Sequence, residues 1–82
     1  MKHCSYNTRG TCSRRIDFDI DDEGRLHNVS FLGGCAGNTA GICLLAEGMD
    51  AAALADRLRG VQCGAKGTSC PDQFARAIDE NL

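Results

Sequence analysis

Ile16, Phe18 and Ile20 alternate with Asp17, Asp19 and Asp21. Strict alternation over this length predicts a β-strand with one face buried and one face wet. Asp22-Glu23-Gly24 follows, a turn in which glycine can adopt positive φ. Leu26 to Leu32 then reads as the return strand, with Val29 and Phe31 on one face. Lys2 to Thr8 reads as a third strand at the sheet edge, with Gly10 in the turn after it.

Beyond residue 37 the spacing changes from two to three and four. From about Asn38 to Glu47, Ile42, Leu45, Ala46 and Met49 form one apolar stripe, and Gly48 is a natural stop. Asp50 is placed to cap a second helix, Ala51 to Arg59. Leu54, Leu58 and Val61 form its stripe and Gly60 lies past its end. A last helix opens at Ser69-Cys70-Pro71-Asp72. Proline suits a first helical turn, and an aspartate there complements the positive end of the helix dipole. Phe74, Ala77 and Ile78 form its inner face. Strands followed by helices predict an α+β fold. A small antiparallel sheet of two to three strands is covered on one face by about three helices, as a single domain over residues 1–82.

Composition shows how little that core has to work with. Leu, Ile, Val and Phe number sixteen among 82 residues, and there is no Trp. A chain of this size buries only about 60–65% of its unfolded surface, so small domains of this kind usually carry a staple. Six cysteines stand beside that thin core. No apolar run reaches the roughly 18 residues of a membrane span, and the polar start Met1-Lys2-His3-Cys4 has no secretory h-region. The expected compartment is the cytoplasm, where six thiols point to metal or redox chemistry rather than a disulfide framework. A net charge of −2 with scattered Arg and Lys gives no nucleic-acid footprint.

Four of the cysteines lie in loop-like contexts with glycine close by: Cys12, Cys35, Cys63 and Cys70. Cys12 begins the predicted hairpin and Cys35 ends it, and a hairpin returns its ends to the same end of the sheet. Cys35 directly precedes the first helix, and Cys70 sits at the cap of the last one. Helix N-termini favour thiolates through their unpaired N–H groups and dipole. Neighbouring glycines let the backbone approach and donate N–H···S bonds. Four thiolates suit tetrahedral Zn²⁺, the first choice, or an iron–sulfur cluster. The expectation rests on convergence of chain segments, because no CxxC pair occurs in the sequence.

The other polar residues read more plainly. Cys43 falls inside the apolar helix as a packed residue, and Cys4 is open to either role. His27 reads as a strand-surface residue, with a zinc-ligand role as the alternative, and His3 has no partner pattern. The run Asp17, Asp19, Asp21, Asp22, Glu23 reads as a solvated strand face. Gly33-Gly34-Cys35-Ala36-Gly37 and Gly64-Ala65-Lys66-Gly67-Thr68 lack the spacing of phosphate-binding loops. No histidine pairs with a Ser or Cys nucleophile, so the chain is not read as an enzyme on its own.

Residues Cys63 to Gln73, with the pentapeptide Thr68-Ser69-Cys70-Pro71-Asp72, resemble the TSCPD domain family. Gly10-Thr11-Cys12-Ser13 and Gly33-Gly34-Cys35-Ala36-Gly37-Asn38 look like its stand-alone members of roughly the same length. The resemblance spans nearly the whole chain and implies that Cys12, Cys35, Cys63 and Cys70 are its characteristic four cysteines. Such domains also occur at the C-termini of some bacterial ribonucleotide reductases. The resemblance therefore implies an accessory domain, or a thiol relay, with a reductase as partner.

A more distant similarity is to iron–sulfur scaffolds of the IscU/NifU-N type. It would carry that family's three cysteines onto Cys12, Cys35 and Cys70, with an IscU-like fold and the cluster-assembly machinery as partner. Arg14 and Ser69 stand where the scaffold has an acidic residue and a histidine. Cys63 would replace that histidine as fourth ligand, which implies a closed, structural site. No membrane or nucleic-acid partner is expected.

Overall fold

A computed structural model describes residues 1–11, 13–33, 36–62 and 67–82, the side chains of 36–38 excepted. Three strands, β1 (Lys2–Asn7), β2 (Ser13–Ile20) and β3 (Leu26–Gly33), precede three helices, α1 (Ala36–Ala46), α2 (Ala51–Leu58) and α3 (Cys70–Asn81). The sheet order is β1-β2-β3 and both pairings are antiparallel. This is the expected α+β arrangement, with the third strand present. Among the described residues no helix is long and apolar enough to cross a membrane.

The alternation in β2 works as its sequence implies. Ile16, Phe18 and Ile20 are buried, while Asp17 and Asp19 line the outer face. There the carboxylates bond to Ser5, Arg15, His3 and Asn28. At the turn, Asp21 accepts the amides of Glu23 and Arg25 at 2.9 Å each, and Gly24 supplies φ 79°. β3 departs from simple alternation. Ser30 pairs with Asp17 and His27 with Asp19, so β3 carries one extra residue. Asn28 takes it up with φ 55°, a left-handed conformation that asparagine tolerates better than most side chains. The bulge reverses the facing of the strand. Leu26 on one side of it and Val29 and Phe31 on the other can all reach the core, which a regular strand would forbid.

α3 runs beside the sheet from the Ser13 end, where Cys70 Sγ meets Ser13, to the Ile20 end, where Lys2 Nζ donates to the carbonyl of Asn81. Its inner residues Phe74, Ala77 and Ile78 have no solvent exposure. Phe74 meets Phe18 and Phe31 edge-on at ring-centroid distances of 5.5 and 5.8 Å, the favoured aromatic geometry. α2 packs along α3, capped by the Asp50 side chain on Ala53 N at 3.0 Å. Arg59 closes the pair on the bidentate carboxylate of Asp79.

α1 lies along β3, and its buried face differs from the expected stripe. Thr39 and Ala46 are buried and Ile42 is half-buried. Leu45 is 74% exposed, as is its neighbour Leu44 at 80%. The spacing of Ile42, Leu45, Ala46 and Met49 is compatible with a helix, but the helix is rotated toward Thr39. Val61, placed on the α2 stripe by its spacing, is 40% exposed because α2 ends at Leu58 and Gly60 turns the chain with φ 87°.

Candidate metal centre

Cys70 is the first helical residue of α3. Ser69 is the N-cap, its hydroxyl accepting the amide of Asp72 at 3.1 Å, and Pro71 follows. The thiol therefore stands in the first turn of a twelve-residue helix, at the positive end of the helix dipole. It is half-buried, and its Sγ lies 3.2 Å from Ser13 Oγ. Ser13 opens β2, is only 4% exposed, and is paired in register with Gly33 at the end of β3.

A polar network holds these segments together. Arg9 N donates to Gln73 Oε1 at 3.1 Å, and Gln73 Nε2 donates to Thr68 Oγ1 at 3.0 Å. The Thr68 hydroxyl in turn donates to Asp72. Asp72 Oδ1 accepts Gly60 N at 2.8 Å, and Ser69 Oγ donates to the carbonyl of Val61. Gly10 has φ 74°, and a side chain there would come within 3.1 Å of Thr68 Cγ2. That close approach requires glycine. The Thr68 hydroxyl, the Gly60 amide and the Arg76 guanidinium hold the Asp72 carboxyl below the usual carboxylate range.

Described neighbours of all four candidate cysteines thus meet at the start of α3. Ser13 follows Cys12, Gly33 lies two residues before Cys35, and Val61 lies two before Cys63. Cys12, Cys35 and Cys63 themselves lie outside the described residues, and Cys70 lies within them. Among the described residues no group of three or more His, Cys, Asp or Glu is arranged to hold a metal ion. The one candidate ligand that is described fits the role chemically. It is a helix-start sulfur with a hydroxyl at hydrogen-bond distance, an environment that favours a thiolate.

The remaining sulfur and imidazole groups serve other ends. Cys4 is 3% exposed in the core of β1, opposite Phe18, and burial pushes its thiol pKa up. Cys43 is half-buried beside Val29, Phe31 and Thr39, along a groove of about 450 Å³ between α1 and β3. Burial raises its pKa as well. Neutral, packed thiols of this kind are poor metal ligands. His3 bonds to Asp19 on the outer face at 2.7 Å.

His27 sits between two carboxylates. Nε2 is 2.7 Å from Asp21 and Nδ1 is 2.6 Å from Glu47, and both raise its pKa. The register pairs it with Asp19, six residues along β2 from Ser13 and so about 20 Å away. His27 is a strand-surface residue engaged in ion pairs, far from Cys70. Ser13 and Gln73 are the site residues that spacing alone did not single out. Their signal is a polar side chain at a strand or helix position that the topology turns inward.

The chain matches the family model of the TSCPD domain over residues 2–82. No curated protein and no solved structure matches it.

Proposed function

The chain belongs to the TSCPD domain family, and from that premise we propose that it is a non-catalytic metal-binding accessory domain. Cys12, Cys35, Cys63 and Cys70 would hold one Zn²⁺ or an iron–sulfur cluster. The observation that carries this reading is the convergence at the α3 N-terminus. The β1–β2 loop through Arg9 and Gly10, the ends of β2 and β3 through Ser13 and Gly33, and the α2–α3 connection through Gly60 and Val61 all meet there. These are the segments that carry the four thiols. Bound metal would supply a charge centre linking the sheet to the helices, which the sparse apolar core of a chain this size favours.

Anaerobic purification, metal analysis and an absorption spectrum test the reading. One zinc or one cluster per chain is expected, lost together with part of the thermal stability in Cys70→Ser and Cys35→Ser. Full metal content and an unchanged melting temperature in both variants would refute it. Colourless protein with stoichiometric zinc would select the structural zinc site. Brown protein would select a cluster and keep a carrier role, with the cluster-assembly machinery as the partner class to test.

A further inference from the structure

Resting on that metal-binding reading, we infer that Ser13 is the positioning residue of the site, its hydroxyl holding and tuning the Cys70 thiolate. Ser13 Oγ lies 3.2 Å from Cys70 Sγ and 3.1 Å from Thr11 Oγ1. A metal-bound thiolate sulfur has no proton and can only accept. Ser13 must then donate its single proton to Cys70 Sγ, and its lone pairs are left to accept the Thr11 hydroxyl, whose one proton is shared with the Ser13 carbonyl at 3.3 Å. The chain of donation runs Thr11 to Ser13 to Cys70, and each link polarises the next.

Three features fit Ser13 for this role. It is 4% exposed, so water does not replace its bond. Its backbone carbonyl accepts the hydroxyl of Thr8, which anchors the residue. Its place at the start of β2, in register with Gly33, sets it between the end of β3 and Cys70. A hydroxyl bonded to a ligating sulfur draws electron density from it and fixes its direction. Partners of this outer kind typically change metal affinity by about 10- to 100-fold.

The experiment uses the full chain and Co²⁺ alone as probe, which reports thiolate ligation through a sulfur-to-cobalt charge-transfer band. Ser13→Ala is expected to bind Co²⁺ about tenfold more weakly. Its band should move to lower energy, because the sulfur has lost its hydrogen bond. Ser13→Thr keeps the hydroxyl and should restore both affinity and band position. Thr11→Val should give a smaller shift in the same direction. Far-ultraviolet circular dichroism of the metal-free proteins checks that each variant folds.

If wild type shows the band and Ser13→Ala matches it in position and affinity, the role of Ser13 is refuted and the metal reading stands. If Ser13→Ala weakens binding with no band shift and Ser13→Thr does not restore it, Ser13 merely supports the fold and the inference fails. If wild type itself shows no charge-transfer band, the metal reading fails and takes this inference with it.

Discussion

Replacing Asp72 tests how the α3 start is held. The carboxylate is 3% exposed and accepts from Gly60 N at 2.8 Å, from the Thr68 hydroxyl, and from Arg76 Nε at 3.3 Å. Arg76 is more than half exposed, so that pair contributes little. The other two bonds, the buried one from Thr68 and the half-buried one from Gly60, go to an ionised acceptor and are each worth about 1.5–3 kcal/mol when buried. Their loss is not additive, because the Thr68 hydroxyl keeps the donor Gln73 Nε2. Asp72→Ala leaves the Gly60 amide without its acceptor and should cost about 3 kcal/mol. Asp72→Asn keeps one acceptor oxygen for that amide and should cost about 1 kcal/mol.

A domain of this length has only about 4–12 kcal/mol of stability in all. Urea unfolding measures the effect. With an m-value of about 1 kcal/mol/M, the midpoint should fall by about 1 M for the Asn variant and about 3 M for the Ala variant, with m unchanged. The pH dependence supplies a second check. The folded-state pKa of Asp72 is lowered. Its contribution is therefore present above the ordinary carboxylate value of about 4 and is lost as pH falls through the lowered one. The gap between wild type and Asp72→Asn should close in acid. A midpoint unchanged at neutral pH, or a gap that persists unaltered into acid, would refute the assignment.

Three further outcomes are expected. His27 lies between the Asp21 and Glu47 carboxylates, which favour its protonated form and raise its pKa above about 6.5. Its contribution is complete below that value and is lost as pH rises through the folded pKa. The lowered carboxyls of Asp21, at about 2, and Glu47 impose the opposite loss in acid. Thermal melts from pH 5 to 9 should decline on the alkaline side for wild type, and His27→Gln should flatten that decline. Leu45→Lys should change stability by less than about 0.5 kcal/mol because the side chain lies in water. Ala46→Leu, at a position with no exposure, should cost about 1–3 kcal/mol by overpacking; equal melting temperatures for the two variants would contradict the facing of α1. Cys4→Ala should retain the full metal content of wild type in elemental analysis, since this thiol is packed against the core. Loss of metal in that variant would place Cys4 among the ligands.

How far each element could be read depended on whether local spacing or a tertiary partner decided its facing. β2 and α3 were legible because a two-residue and a three-to-four-residue spacing each left one apolar face, Ile16-Phe18-Ile20 and Phe74-Ala77-Ile78. The Asp50 cap was legible too, since it acts through a bond three residues away, whereas the α3 cap falls on Ser69, one residue before the expected Cys70. α1 was not. Its residues are nearly all apolar or small, so no polar face marks which side meets solvent, and contact with β3 turns Thr39 and Ala46 inward while Leu44 and Leu45 remain outside. In β3 the period itself breaks. The register is shifted by a single left-handed residue, Asn28, and alternation alone would have sent Leu26 to the outer face. At the candidate site the contexts of Cys12, Cys35, Cys63 and Cys70 raise the expectation of four ligands, and of these the described residues include Cys70; the hydroxyl against it comes from 57 residues away and only the topology brings it there.

The distribution of buried side chains divides the molecule in a way that bears on what the cysteines need. The fully buried apolar residues begin at Ile16 and continue toward the Ile20 and Leu26 end of the sheet. Among the described residues, five of the six buried polar ones, Ser13, Thr68, Ser69, Asp72 and Gln73, gather at the other end. Apolar packing is non-directional and would hold the loops there only loosely in orientation. Hydrogen bonds between fixed donors and acceptors are directional, and an unmade one is costly to bury. No described buried side-chain polar atom lacks a partner. A network of that kind adds little net stability per bond, yet it constrains where Cys70 and the neighbours of the other three cysteines stand. This is the property a thiolate site requires, because ligand geometry must be held before the metal arrives if binding is to be tight. The sparse core and the polar end at the start of α3 are therefore complementary. Aliphatic and aromatic burial is concentrated where α3, backed by α2, lies against the sheet, and the α3 start is built from polar contacts that fix direction.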